Sequence, residues 1–282
     1  MFENIFKGFL FIKESFSLII KDADVIKPSF YSIFVGMFFT IFSIVIMLFI
    51  ESNLHLGNLF YIFAFLVFLG NYLISYFFSG MTAFLVYDYF KDGDATMSEA
   101  WAATKKNVLT IFYLAIISSI VNIITGIIRG SARRYSAGGF FAMILGFFER
   151  AWTVATYFMI SAIVIEDRDL KGALERATQI IRKNLLPIGV GEIAVELVTV
   201  LLSVIGITIA IFIGVSSLNV TGPVLALLMT AILILIVIAL SLYVTTAYHT
   251  CLFLWARSIE STGIRGSAMS PPAPIANVLG LN

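Results

Sequence analysis

The chain has 282 residues, of which 60% are hydrophobic and 12% charged, with formal net charge +1 and mean hydropathy +1.01. A soluble domain of this composition would expose much of its apolar surface to water, so the chain belongs in a membrane. The near-neutral balance gives no case for nucleic-acid binding, and a lone Cys251 excludes an intrachain disulfide.

At the N-terminus, Phe2, Ile5, Phe6, Phe9, Ile12, Phe16 and Ile19 follow helical spacing against Glu3, Lys7, Glu14 and Lys21. Lys7, Lys13 and Glu14 interrupt that apolar run and no small-residue cleavage site follows, so an interfacial helix is expected and a cleavable signal peptide is not. About 20 residues at 1.5 Å rise cross a hydrocarbon layer of about 30 Å. Six stretches reach that length: Tyr31–Ile50, Leu59 to about Val86, Val108–Ile128, Phe140–Ile165, Leu185–Val215 and Val224 to about Phe253. Their apolar runs are continuous, whereas barrel strands alternate over about ten residues, so the fold class is an all-α polytopic bundle.

Two further amphipathic helices are predicted between spans. Thr96 and Glu99 have capping-box spacing ahead of Met97, Ala100, Trp101 and Thr104. Leu170, Ala173, Leu174, Ala177 and Ile181 oppose Lys171, Glu175, Thr178 and Arg182. All three amphipathic segments enter a membrane hairpin through related text: IIKDADVI, TKKNVLTI and IRKNLLPI. The spacing suggests parallel helix-hairpin repeats over 1–90, 91–166 and 167–260 in a single domain 1–260, with a short flexible tail 261–282. The same text also follows from the plain need of membrane hairpins for basic flanks.

Fourteen lysines and arginines fall on the side of the termini and three (Arg129, Arg133, Arg134) on the other, with Arg150 inside a span. The positive-inside rule then puts both termini in the cytoplasm of a cell-membrane protein, where the basic faces can meet anionic lipid. His55 falls in a short exterior loop.

Polar residues interrupt the spans at helical spacing. Asn71, Ser75 and Ser79 form a stripe on the second, Ser118, Asn122 and Thr125 on the third, and Thr153, Thr156 and Tyr157 a cluster on the fourth. Lipid cannot hydrogen-bond them, so they face helices, their own backbone or a hydrated path. Gly70, Gly80 and Gly126 nearby suit close helix packing equally well.

Glu192 and Glu196 lie one turn apart on the fifth span, and His249 sits at matching depth on the sixth. Charge at membrane depth needs a partner or a proton, which makes this trio a candidate proton or cation site; a water-filled vestibule with bonds to Tyr243 or Tyr248 is the alternative. Two carboxylates and one histidine are too few to define a zinc site, and the metal is left unassigned. Glu149 and Arg150 are adjacent in sequence and point apart, so Glu149 is expected to meet Arg129 or Arg133 while Arg150 reaches outward or attracts an anion. If Phe140–Phe148 is an interfacial segment, both charges fall at its wet end. Pro187, Gly189 and Gly191 are expected to loosen the start of the fifth span.

No Walker loop, Rossmann fingerprint, HExxH or GxSxG is present, and no cofactor is expected. GFLFIKESFSLIIKDADVIKPSFYSI, YFFSGMTAFLVYDYFKDGDATMSEAWAATKKN, AWTVATYFMISAIVIEDRDLKGALERATQIIRKN and the final HTCLFLWA resemble a widespread group of uncharacterised prokaryotic multi-pass membrane proteins. The resemblance implies an integral membrane protein with amphipathic cytoplasmic connections and transfers no catalytic residue. The reading is a small channel or transporter-like protein for an ion or small solute. A non-catalytic accessory or lipid-organising protein, and an intramembrane lipid-modifying enzyme using Glu192 and His249, are the alternatives. Homo-oligomerisation is left open.

Overall fold

The computed structural model describes residues 13–54, 57, 59–132 and 138–262. The start of the N-terminal amphipathic segment, His55, Arg133, Arg134 and the tail beyond Thr262 lie outside the described residues. Residues 13–21 are helical and pass through a short 3-10 turn, Ala23–Ile26, into α1 (Lys27–Leu54). Then follow α2 (Leu59–Asp92), α3 (Met97–Lys106), α4 (Val108–Ala132), α5 (Gly138–Glu166), α6 (Leu170–Lys183), α7 (Leu185–Thr221) and α8 (Pro223–Thr262). The six long helices α1, α2, α4, α5, α7 and α8 are long and apolar enough to cross a membrane, and α3 and α6 are short. This is the polytopic all-α architecture the apolar runs require.

The spanning helices exceed their predicted apolar cores. The α2 helix continues to Asp92, α7 to Thr221 and α8 to Thr262, because polar residues continue a helix once it leaves lipid. The α7 helix is unbroken across Pro187, Gly189 and Gly191. Pro187 falls in its first turn, where a missing N–H removes no intrahelical bond, so the helix continues through it. Gly222 alone separates α7 from α8; it takes φ +79°, a conformation open to glycine at little cost, and Pro223 opens the next helix.

The connecting elements gather at one end of the bundle, here termed basal. Asp22 caps the 3-10 turn and also accepts from the Ala95 N–H at 2.7 Å, tying the first connection to the second. Asn107 and Asn184 end α3 and α6 alike, each amide donating to the carbonyl four residues earlier. Thr96 precedes α3 without a side-chain cap; its N–H donates to Asp88 at 3.3 Å, so the capping box with Glu99 does not form. Asp167, between α5 and α6, adopts φ +57° and is held by Lys106 and by Asn107 at 2.9 Å. Those hydrogen bonds, Lys106 first, hold its carboxyl below the usual range.

The core occupies the basal half. Met81, Leu85, Ile111, Leu114, Phe158, Ile163, Tyr243 and Phe253 from α2, α4, α5 and α8 are fully buried there, and Ala173, Ala177 and Ile180 of α6 close it from below. Distally the helices present apolar side chains outward, among them Phe38, Phe147, Phe212 and Val224, each at least 70% exposed. A soluble monomer rarely shows so large an apolar surface, whereas a bilayer is its natural solvent. Among the described residues, the distal part of α7 packs on α8 through small residues: Gly206 faces Val237, Gly214 faces Thr230, and Ser203 bonds Ser241 at 2.8 Å.

Candidate functional site

Helix α8 carries His249 into the basal core, where its side chain is 2% exposed. One ring face stacks on Tyr157 of α5, with centroids 4.4 Å apart and planes 11° from parallel, and Phe158 and Tyr248 meet its edges. Its Nδ1 lies 2.7 Å from the Thr245 carbonyl one turn earlier. Its Nε2 lies 3.0 Å from Glu192 Oε2 on α7. Gly191 makes this approach feasible: a Cβ there would collide with the Tyr248 hydroxyl, so only glycine lets α7 settle against α8 at this level.

The Thr245 contact of His249 constrains its protons. A carbonyl only accepts, so Nδ1 carries a hydrogen and donates it to Thr245. Its Nε2 and Glu192 Oε2 stand within ion-pair distance, yet neither atom completes an aligned hydrogen bond. The contact brings an ionisable group of α8 against one of α7 inside the core.

Glu196, one turn further along α7, turns to a different partner. Its Oε1 accepts from Arg150 Nη2 of α5 at 2.9 Å. Arg150 and Glu196 side chains are 64% and 41% exposed, so this pair lies on the outer face of the bundle. Glu149 pairs with Arg129 of α4, as its position suggested. A cavity of about 150 Å³ opens beside the two glutamates, lined by Thr199, Thr245, Tyr248 and His249 among others. Tyr243 does not reach this site; its hydroxyl donates to the Ser15 carbonyl at 3.3 Å and anchors the N-terminal helical residues.

The polar stripes divide between two environments. Asn71 and Ser75 line a groove of about 470 Å³ between α1, α2 and α8, together with Ser32 and Thr40. Thr40 donates to Asn71 Oδ1 at 3.0 Å, and Asn71 donates to the Val67 carbonyl. Below it Ser75, Ser79, Ser29, Thr82 and Thr246 enclose a space of only about 10 Å³. The Tyr157 hydroxyl lies beside Thr246, between this constriction and His249. On α4 the stripe turns to its own helix: Asn122 donates to the Ser118 carbonyl and Thr125 to that of Asn122, while the Ser118 hydroxyl accepts from Trp152 Nε1 at 3.2 Å. Thr153 and Thr156 likewise donate to carbonyls of α5. These α4 and α5 groups are satisfied by protein; the α2 stripe borders space.

A charged cluster at the basal end escaped the sequence reading. Arg176 of α6, 8% exposed, bonds Glu166 of α5 at 3.3 Å and Glu260 of α8, and its guanidinium covers the Phe253 ring. Lys183 joins Glu260 at 3.0 Å, and Arg168 joins Glu166 at 2.9 Å. Burial raises the Glu260 carboxyl, but hydrogen bonds from Arg176 and Lys183 outweigh it and hold the group below its ordinary value. The only sequence signal was helical spacing of Arg176 with the apolar face of α6, a position where a basic residue needs partners.

Among the described residues, no group of three or more His, Cys, Asp or Glu side chains is arranged to hold a metal ion. No family model matches the chain, and no curated protein is similar to it.

Proposed function

We propose that this polytopic membrane protein is a small transporter for an ion or small solute, with the Glu192–His249 pair as its proton-binding site. The observation that carries this reading is the 3.0 Å approach of Nε2 to Oε2 with Nδ1 already committed to Thr245. Removing a proton shared by the two would leave two lone pairs facing each other at membrane depth, which is costly unless the helices part. Proton loss is thus coupled to separation of α7 from α8, and binding to their closure. Glu196 supplies further negative charge beside the cavity of about 150 Å³.

The groove bordered by Asn71 and Ser75 is the other approach, and the constriction at Ser79 and Thr246 is the barrier between the two. In this reading the basal end, rich in lysine and arginine, faces the cytoplasm and anionic headgroups. Kinship with the multi-pass prokaryotic group rests on the stretches quoted above.

The test is a proteoliposome assay with an entrapped pH-sensitive dye and an imposed potential. Wild-type protein carries protons inward, and Glu192→Gln abolishes that movement while the protein remains folded. Unchanged proton movement in Glu192→Gln rejects the site.

A further inference from the structure

The Arg129–Glu149 and Arg150–Glu196 pairs are not part of the His249 contact itself, although Glu196 borders the same cavity. Glu149 and Arg150 are consecutive on α5 and point apart, one toward α4 and the other toward α7, so the two pairs make a strip that runs across the exposed face of α5. Arg129 lies about 31 Å along α4 from its basal start, and Glu196 about 16 Å along α7 from its own. The strip thus covers the middle and distal parts of a layer about 30 Å thick. All four side chains are between 31% and 64% exposed. Around them Phe147, Ile193 and Val200 are exposed apolar residues.

Four charges on a lipid-facing wall oppose insertion, and apolar residues of similar volume would hold such a wall at least as well. Their arrangement is informative. The signs alternate as Arg129, Glu149, Arg150, Glu196, and each guanidinium spends one recorded N–H on its carboxylate while having five to offer. An arginine fork recognises phosphate, and a carboxylate beside it recognises an ammonium group. The strip is open sideways and flanked by apolar side chains, so what it accommodates has a polar head and tails that stay in the bilayer. A free ion has no use for that apolar border.

We propose that the α4–α5–α7 face is a track along which zwitterionic phospholipid headgroups cross the bilayer, phosphate passing between Arg129 and Arg150 and ammonium between Glu149 and Glu196. This goes beyond proton binding at Glu192–His249; because Glu196 also borders that cavity, proton movement is read beside lipid movement.

The experiment uses the full chain in phosphatidylcholine vesicles containing a trace of phosphatidylcholine labelled on one acyl chain. The label sits at a tail end too slow to cross alone, and a headgroup-accessible phospholipase reads the leaflet. With wild-type protein the inner-leaflet probe becomes accessible; in protein-free vesicles it stays protected. Arg150→Ala with Glu196→Ala slows this about tenfold or more, the loss of two charge-assisted contacts. The conservative pair, Arg150→Lys with Glu196→Asp, keeps each charge in its place and retains most of the rate, which separates loss of the track from loss of the fold. Protection of the inner leaflet at every wild-type protein load overturns the proposal, as does an alanine pair that moves lipid at the wild-type rate. So does disulfide trapping of Phe147→Cys between two chains at high yield, because a second copy would then cover the strip. The dye assay for protons, run on the same vesicles, reports on Glu192–His249 separately: lipid movement without proton movement leaves the track standing, and the converse removes it.

Discussion

Replacing His249 by leucine tests whether one proton joins α7 to α8. In His249→Leu, Glu192 loses its 3.0 Å partner while remaining three-quarters buried at 23% exposure. Removing one member of a buried ion pair costs about 3–5 kcal/mol, and partial access to the adjacent cavity puts this case near the lower figure, about 3 kcal/mol. The lost stacking on Tyr157 adds about 1 kcal/mol. Glu192→Leu with His249→Leu removes both polar groups and leaves no orphan, so the double variant should regain about 2 kcal/mol or more relative to His249→Leu alone. The stacking loss is common to both and cancels in that comparison. Glu192→Gln keeps a donor for Nε2 and should cost only about 1 kcal/mol. The measurement is reversible unfolding in mixed micelles, followed by tryptophan fluorescence. If the double variant is no more stable than His249→Leu, no orphaned carboxyl existed, and the argument for a shared proton fails.

Four other outcomes follow from particular contacts. Gly191→Ala drives a Cβ into the Tyr248 hydroxyl and should lower stability by about 1–3 kcal/mol, whereas Gly189→Ala meets no atom within 4 Å and should be neutral or slightly stabilising; thermal melts of the pair check this. Trp152→Phe deletes the 3.2 Å bond to Ser118 and should cost about 0.5–1.5 kcal/mol, read by the same melts. Arg176→Met leaves Glu166 and Glu260 facing each other with less counter-charge, and amide exchange of α6 should accelerate while that of α4 stays unchanged. Because the Glu260 carboxyl is depressed in the folded protein, its contribution is complete above the unfolded value of about 4.3 and is lost as pH falls through the lower folded value. The melting-temperature gap between wild type and Glu260→Gln should therefore be widest near neutrality and close below about pH 4.

What the sequence disclosed follows from which forces act along a helix and which act between helices. Six crossings were legible because each hydrophobic run is continuous, and lipid leaves a chain of that length no alternative to intrahelical bonding. Depth was legible too. Counting turns from Asn184 and from Arg257 set Glu192 and His249 in the same layer, and the structure brings them together. Azimuth was not legible, since the direction a side chain takes around its helix has meaning only against a neighbour. Arg150 therefore read as reaching outward, although Glu196, 46 positions away, accepts its bond. For the same reason Ser29, Ser32 and Thr40 of α1 went unnoticed: they become a polar wall only once α2 sets Asn71 and Ser75 opposite them.

The basal cluster shows the complementary limit. Glu166 and Glu260 look like ordinary interfacial charges because each stands near the end of its helix, and Arg176 sits midway along a short amphipathic helix, where solvated charge is equally common. Only the return of α8 beneath α5 and α6 buries Arg176 and turns three surface charges into a clamp. That clamp, the Asp167 link to α3–α4 and the Asp22 bond to Ala95 all lie at the end holding the dense core. Distally α7 and α8 have mainly each other. Elements with fewer contacts open at lower free energy, so any motion that parts Glu192 from His249 should begin at the distal α7–α8 hairpin and pivot on the basal clamp.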